Sequence, residues 1–296
     1  SEIESMSRIN LGGFTGEIEV SSIGNTFSAI VAGGDENATT SITNNTVAAA
    51  GMKANQINID KKFTGTITVE SSKNTFTTEM SAPEADNNVV TDNLVEVIGL
   101  DVVSKDGVEG AGTLNSASSM AGSINITSYD NTNDTYYDGI NGYKWNVVGI
   151  RADKIDVKGD LGTDISVLTG RSNGYHGEGM VAGIYVDNIS ADFISSDITI
   201  VADELERPLR VVGIFVENGF DNGITYGDNR KDTFDFTGNL IMQDNELEGK
   251  SNAIVAGMMG FKDGVNLRVS GTILAVGPYG AATTYSIVAD RINEDL

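Results

Sequence analysis

Val148-Gly-Ile-Arg-Ala-Asp-Lys-Ile-Asp-Val157, followed at once by Lys158-Gly-Asp-Leu-Gly-Thr-Asp-Ile-Ser-Val167, is the stretch on which the fold turns. Ile155 and Val157, then Ile165 and Val167, recur at every second residue with Asp or Ser between them. Alternating β-branched and polar residues make a short strand with one buried face. Gly, Asn, Asp, Ser and Thr are too dense here to sustain an amphipathic helix.

Both halves of this stretch recur along the chain. The hydrophobic-Gly-hydrophobic block returns as Ala182-Gly183-Ile184, Val212-Gly213-Ile214 and Ala256-Gly257-Met258, with diverged copies at Ala50-Gly51-Met52 and Ile98-Gly99-Leu100. The Gly-x-Ile-x-Val block returns in Gly122-Ser-Ile-Asn-Ile126, Ser196-Asp-Ile-Thr-Ile200, Gly238-Asn-Leu-Ile-Met242 and Gly271-Thr-Ile-Leu-Ala275. Its longest matching pair is Gly16-Glu-Ile-Glu-Val-Ser-Ser-Ile-Gly-Asn-Thr-Phe-Ser28 with Gly65-Thr-Ile-Thr-Val-Glu-Ser-Ser-Lys-Asn-Thr-Phe-Thr77. Gly149 to Ile165, Gly51 to Ile67 and Gly257 to Ile273 are each 16 residues, and Gly183 to Ile198 is 15. Gly213 to Leu240 is 27, which predicts an insertion over 219–231.

Glycine blocks follow one another at 34, 30 and 44 residues, so variable loops swell the repeat while the strand blocks keep their spacing. A solenoid tolerates such loops on its flanks, whereas a propeller blade, with four hairpin-linked strands, or a sandwich tolerates them less. The sequence therefore predicts an all-β chain: a parallel right-handed β-helix (β-solenoid) with irregular coils and loop insertions, one domain over 1–296. Ile150, Ile184 and Ile214 are expected to stack as one inward ladder, and Ile165, Ile198 and Leu240 as another. The block glycine is expected to serve a coil corner, through φ > 0 or through close backbone approach.

The charge narrows the partners. With 42 Asp plus Glu against 19 Lys plus Arg, the chain carries −23 over 296 residues, and nucleic acid or an anionic membrane would be repelled. There is no run of 18 apolar residues, so no transmembrane segment is expected in this chain. A hydrophobic share of 40% is too high for a disordered acidic tail. The absence of Cys removes disulfides and thiolate metal sites and points to a bacterial source.

The Gly-x-Ile-x-Val and Val-Val-Gly-Ile coils, with Asn/Thr/Ser-rich turns and no Cys, resemble the passenger repeats of autotransporter-like bacterial surface proteins from about Leu11 to Asp290. That resemblance implies an extracellular or cell-surface β-solenoid, an adhesin or stalk segment displaying recognition loops to a host or matrix glycan or protein. No C-terminal membrane-barrel strands follow Leu296, so the resemblance implies passenger without translocator. Two other classes stay open: a β-helix carbohydrate-active enzyme (polysaccharide lyase or glycoside hydrolase), and a trimeric phage or virion fibre. The enzyme would show two or more Asp or Glu with Arg or Lys on one coil face.

Chemistry-bearing motifs are sparse. The single His176 lies in a Gly-rich polar run and no Gly-x-Ser-x-Gly elbow is present, so no catalytic residue is assigned. No cofactor is expected, calcium being the one ion the oxygen-rich runs invite. Asp130, Asp134 and Asp138 are the candidate ligands, alongside Asp221-Asn-Gly223 and Asp228-Asn229. None of these runs matches an EF-hand, and polar Asx turns are the alternative. Tyr136, Tyr137, Tyr143 and Trp145, the only Trp, are candidates for a ligand-binding patch. Their alternative role is to cover the flank of the coil stack. Tyr285-Ser-Ile-Val-Ala-Asp290 reads as the start of another glycine block, and the Gly16 block as lacking the half-coil that precedes it elsewhere. These ends predict a segment of a longer repeat protein, with end-to-end self-association as the alternative way to cover an open edge.

Overall fold

The computed structural model describes residues 7–31, 41–43, 46–80, 89–91, 94–104, 110–135, 144–170, 179–203, 208–220, 233–244, 254–260, 266–277 and 283–289. Among them there are strands, turns and bends but no helix. Every strand pairing is parallel. Hairpin-built sandwiches and propellers cannot produce that pattern. The fold is the expected parallel β-solenoid.

Among the described residues seven coils are stacked. One wall takes a strand from each: Glu17–Ile23, Thr66–Ser72, Ser123–Tyr129, Asp164–Gly170, Ile198–Asp203, Asn239–Asp244 and Thr272–Val276. This is the isoleucine wall. Opposite runs the glycine wall: Thr46–Ala54, Leu94–Val102, Lys144–Val157, Gly179–Ser190, Pro208–Phe220, Ile254–Gly260 and Thr283–Ala289. A short third wall joins Arg8–Leu11, Gln56–Ile59 and Thr113–Ser116 to the distal part of Lys144–Val157.

Each wall contributes ladders to one core. Ile150, Ile184 and Ile214 stack as expected and are fully buried, and the ladder extends to Leu100 on one side and Met258 on the other. Ile165, Ile198 and Leu240 form the second expected ladder, continued by Ile67 and Ile124. Burying each such side chain contributes about 1.5–3 kcal/mol. No single coil can enclose its own row, so the stabilisation comes from neighbours.

The constant glycine-to-isoleucine spacing has a direct cause. A Cβ on Gly149 would lie 2.5 Å from Ile165 Cγ2 and 2.4 Å from the Gly183 carbonyl oxygen. Gly51 meets Ile67, Gly99 meets Ile124 and Gly183 meets Ile198 in the same way. The glycine therefore faces the isoleucine of the opposite wall across a thin core. None of these block glycines has a positive φ. Close approach is their role, and the left-handed backbone that was the other expectation is used elsewhere.

A second corner is held by a ladder of asparagines. The repeated motif places Asn25, Asn74 and Asn131 one above another. Asn25 N–H donates to Asn74 Oδ1 (2.9 Å) and Asn74 N–H to Asn131 Oδ1 (3.0 Å). Their amide groups donate down the stack, Asn74 Nδ2 to the Ser22 carbonyl and Asn131 Nδ2 to the Ser71 carbonyl, each at 2.7 Å. The residue before each Asn turns the chain with a positive φ: Gly24 (68°), Lys73 (57°) and Asp130 (54°). Phe27 stacks on Phe76 beside this corner, and Phe14 stacks on Phe63 at the opposite end of the isoleucine-wall strands.

At the first end, strand Arg8–Leu11 precedes the Gly16 block and pairs with Gln56–Ile59 in the third wall, while the glycine wall among the described residues begins at Thr46–Ala54. Segment Thr283–Ala289 is a full member of the glycine wall, with Ile287 beside Met258 and Ser286 where other coils carry glycine. The expected insertion begins late: Pro208–Phe220 is still strand, and 221–232 lie outside the described residues.

Candidate functional site

At each block glycine the two-residue alternation slips. Trp145 and Val147 point into the core, then Ile150 and Ala152, a step of three across Gly149. The strand bends there, and the bend makes its outer face concave. The proof is chemical: Arg151 engages both Glu96 and Asp101 of the preceding coil. Five residues apart on a flat strand, those two side chains would sit about 16 Å apart on opposite faces. The outward row between them, Ile98, Val148 and Ala182, is consequently buried as a small cluster separate from the main core, with Met180 and Tyr185 packed against it. Val212 and Ala256 continue this floor and are fully buried. A shallow groove, its floor covered by the side chains along its edges, thus runs along the glycine wall.

Its first half is ionic. Arg151 Nε donates to Asp101 Oδ1 (2.9 Å), its Nη2 to Glu96 Oε2 (3.0 Å) and its Nη1 to Glu96 Oε1. Lys53, from the coil on the other side, sits 2.8 Å from Asp101 Oδ2 and 3.9 Å from Glu96 Oε2. Glu96 and Asp101 are 3% and 0% exposed, so these carboxylates depend on their cations. Burial opposes the Arg151 charge, and the bonds to Glu96 and Asp101 more than offset this, holding the guanidinium charged above its ordinary value. Two carboxylates with Arg and Lys on one coil face is the composition expected of the enzyme alternative. Here the four groups neutralise one another.

The second half is aromatic. Register places Tyr185 above Arg151 and Phe215 above Tyr185. The two rings lie 5.3 Å apart at 41°, and the Arg210 guanidinium sits 5.6 Å over Phe215. Two positions on along the same face come Asp187 and Glu217, with Asp153 in the coil before. Burial first, then Glu217 and Asp187, push the Tyr185 hydroxyl up. Burial first, then Asp187, push Asp153 above the usual carboxylate range.

The residues singled out in the sequence fall elsewhere. Trp145 is 5% exposed, its ring edge-on to Phe76 at 5.1 Å and its Nε1 donating to Ser128 Oγ (3.2 Å). Asp130 is the exposed left-handed residue of an asparagine turn, in the position Gly24 and Lys73 hold in other coils. Asp134 lies in strand Thr132–Thr135, opposite Thr77. Tyr136, Tyr137, Asp138, Tyr143, His176, Asp221 and Asp228 lie outside the described residues. Among the described residues no three His, Cys, Asp or Glu are grouped to hold a metal, and no helix is long and apolar enough to cross a membrane.

Sequence reasoning passed over the groove, although a signal existed. Aligning the glycine blocks puts Lys53, Asp101, Arg151, Tyr185, Phe215 and Met259 in one column, two residues after each glycine, with Glu96 and Arg210 three residues before theirs. No protein-family model matches the chain, and no curated protein or solved structure matches it.

Proposed function

We propose that the chain is a rigid, non-enzymatic segment of an extracellular bacterial surface protein, resembling an autotransporter passenger, that serves as an adhesin or stalk. The observation carrying this reading is the unbroken register of the isoleucine wall through seven coils. At about 4.8 Å per coil the stack rises roughly 29 Å, stiffened by a core that passes through every repeat. A rod with a continuous groove on one side supports display at a surface. The test is retention: beads coated with the purified chain, passed over epithelial monolayers and over extracellular matrix, are held more strongly than beads coated with heat-denatured chain. Equal retention on both surfaces overturns the adhesive reading.

One observation favours a second reading, the β-helix carbohydrate-active enzyme. Asp153 and Asp187 are neighbouring carboxylates on the groove's edge, and burial first, then Asp187, push Asp153 above the usual carboxylate range. Glycoside hydrolysis uses a pair of carboxyl groups, one of them with its pKa raised to act as acid. Release of reducing ends from a polysaccharide by the wild type, abolished in Asp153→Asn, would establish this reading against the first.

A further inference from the structure

The groove holds two arginines in unlike circumstances. Arg151 is saturated by Glu96 and Asp101. Arg210 has no carboxylate partner among the described residues, and its Nε is buried without a hydrogen bond. A guanidinium laid over a ring with its buried Nε unspent is an incomplete arrangement, because buried donors in folded proteins nearly always have acceptors. Beside it the Tyr185 ring is half-buried, and Phe215, only 8% exposed, backs both. Val148, Ala182 and Val212 lie packed beneath, covered by these side chains, so Tyr185 and Arg210 present the groove's outer surface.

We propose that Tyr185, Phe215 and Arg210 form a binding site for a neutral sugar unit of an extracellular glycan. The sugar's C–H face lies on the Tyr185 ring, and its hydroxyl oxygens accept from Arg210, whose position Phe215 fixes. The occupant follows from complementarity. A polar ligand with an apolar face suits an aromatic platform beside a donor. Asp187 and Glu217 on the same face, within a chain of net charge −23, repel a uronate polymer or an acidic peptide that would otherwise satisfy Arg210. Hydroxyls carry no charge and can donate to those carboxylates as well as accept from the guanidinium. This site deepens the adhesive reading and rests on it for the source of the glycan.

Calorimetric titration of the purified chain with cellohexaose, maltohexaose, xylohexaose and chitohexaose tests the site, with hexagalacturonate and hexaglutamate as charged counterparts. At least one neutral hexasaccharide binds with Kd below about 1 mM. Tyr185→Leu, which keeps apolar bulk and loses the ring, and Arg210→Gln each weaken it by about tenfold or more. Glu19→Gln, on the outer face of the isoleucine wall, leaves it unchanged. Circular dichroism confirms that each variant is folded. The proposal is overturned if no neutral hexasaccharide binds with Kd below about 1 mM, if folded variants bind as the wild type does, or if only a charged counterpart binds. Sugar binding without retention of beads would leave the site standing and remove the adhesive reading; retention without sugar binding does the reverse.

Discussion

Gly183→Ala adds a single methyl group at the centre of the stack, and the structure says where it goes. The new Cβ would lie 2.4 Å from Ile198 Cγ2 and 3.1 Å from its Cδ1, and 2.7 Å from the Gly213 carbonyl oxygen. Ile198 is fully buried between Ile165 and Leu240, so it has no space into which to withdraw. The carbonyl belongs to the next strand, and moving it disturbs the register of the glycine wall. Overpacking of this kind costs about 3 kcal/mol, at the upper end for one methyl in a dense core. For a chain of 296 residues the unfolding entropy converts that into a Tm lowered by about 5 °C. Gly16→Ala is the internal control, because a Cβ there meets nothing within 4 Å and φ is not positive; its Tm stays within about 1 °C or rises slightly. Both are read by thermal circular dichroism at 218 nm, in the usual β-sheet band. If the two variants melt alike, the glycine is not where the walls meet and the account of the spacing fails.

Ile184→Asp puts an unpaired carboxylate into the middle of the Ile150–Ile184–Ile214 ladder and should leave no cooperative melting transition near the wild-type Tm; a Tm within a degree of wild type would show that the inward face is misassigned. Asn74→Ala removes the acceptor of Asn25 N–H and the donor to the Ser22 carbonyl at a fully buried corner, and urea denaturation should show a loss of about 2–3 kcal/mol. Asp153 binds its proton more tightly folded than unfolded, so its contribution to stability is largest at acid pH and falls as pH rises from the unfolded value of 3.8 through the raised folded one. Asp153→Asn should therefore match or exceed the wild-type Tm at pH 7 and flatten the pH dependence on the acid side, and a variant less stable at pH 7 than wild type would contradict the sign.

The core was legible because it is periodic in a way a single chain displays. Ile150, Ile184 and Ile214 carry the same neighbours and the same glycine, so their stacking follows from spacing alone. The thinness of the core was also encoded, as the constant distance from glycine to isoleucine, although only geometry shows that these residues face each other. The groove escaped for a different reason. Glu96, Arg151, Tyr185 and Arg210 are successively 55, 34 and 25 residues apart, unlike in type, and adjacent only through register. Their outward positions place no hydrophobic demand on the sequence, so periodicity does not mark them. Composition is conspicuous instead in the Tyr-, Trp- and Asp-rich segments. Of these Trp145 turned out to be tied into the core by Phe76 and Ser128. The buried asparagines were visible as a recurring motif, but their hydrogen bonds run between coils and cannot be seen in one copy.

The stacking itself is open to a direct ruler. Glu19, Thr68, Asn125, Ser166, Thr199, Ile241 and Leu274 form one outward row, one residue per coil. The chain has no cysteine, so pairs of cysteines introduced in this row can be spin-labelled without background. Double electron–electron resonance between position 19 and positions 199, 241 and 274 measures four, five and six coil spacings. A parallel solenoid predicts backbone separations of about 19, 24 and 29 Å, rising by the same increment each time. Distances that fail to rise, or that rise by unequal steps, would contradict the stacked-coil account.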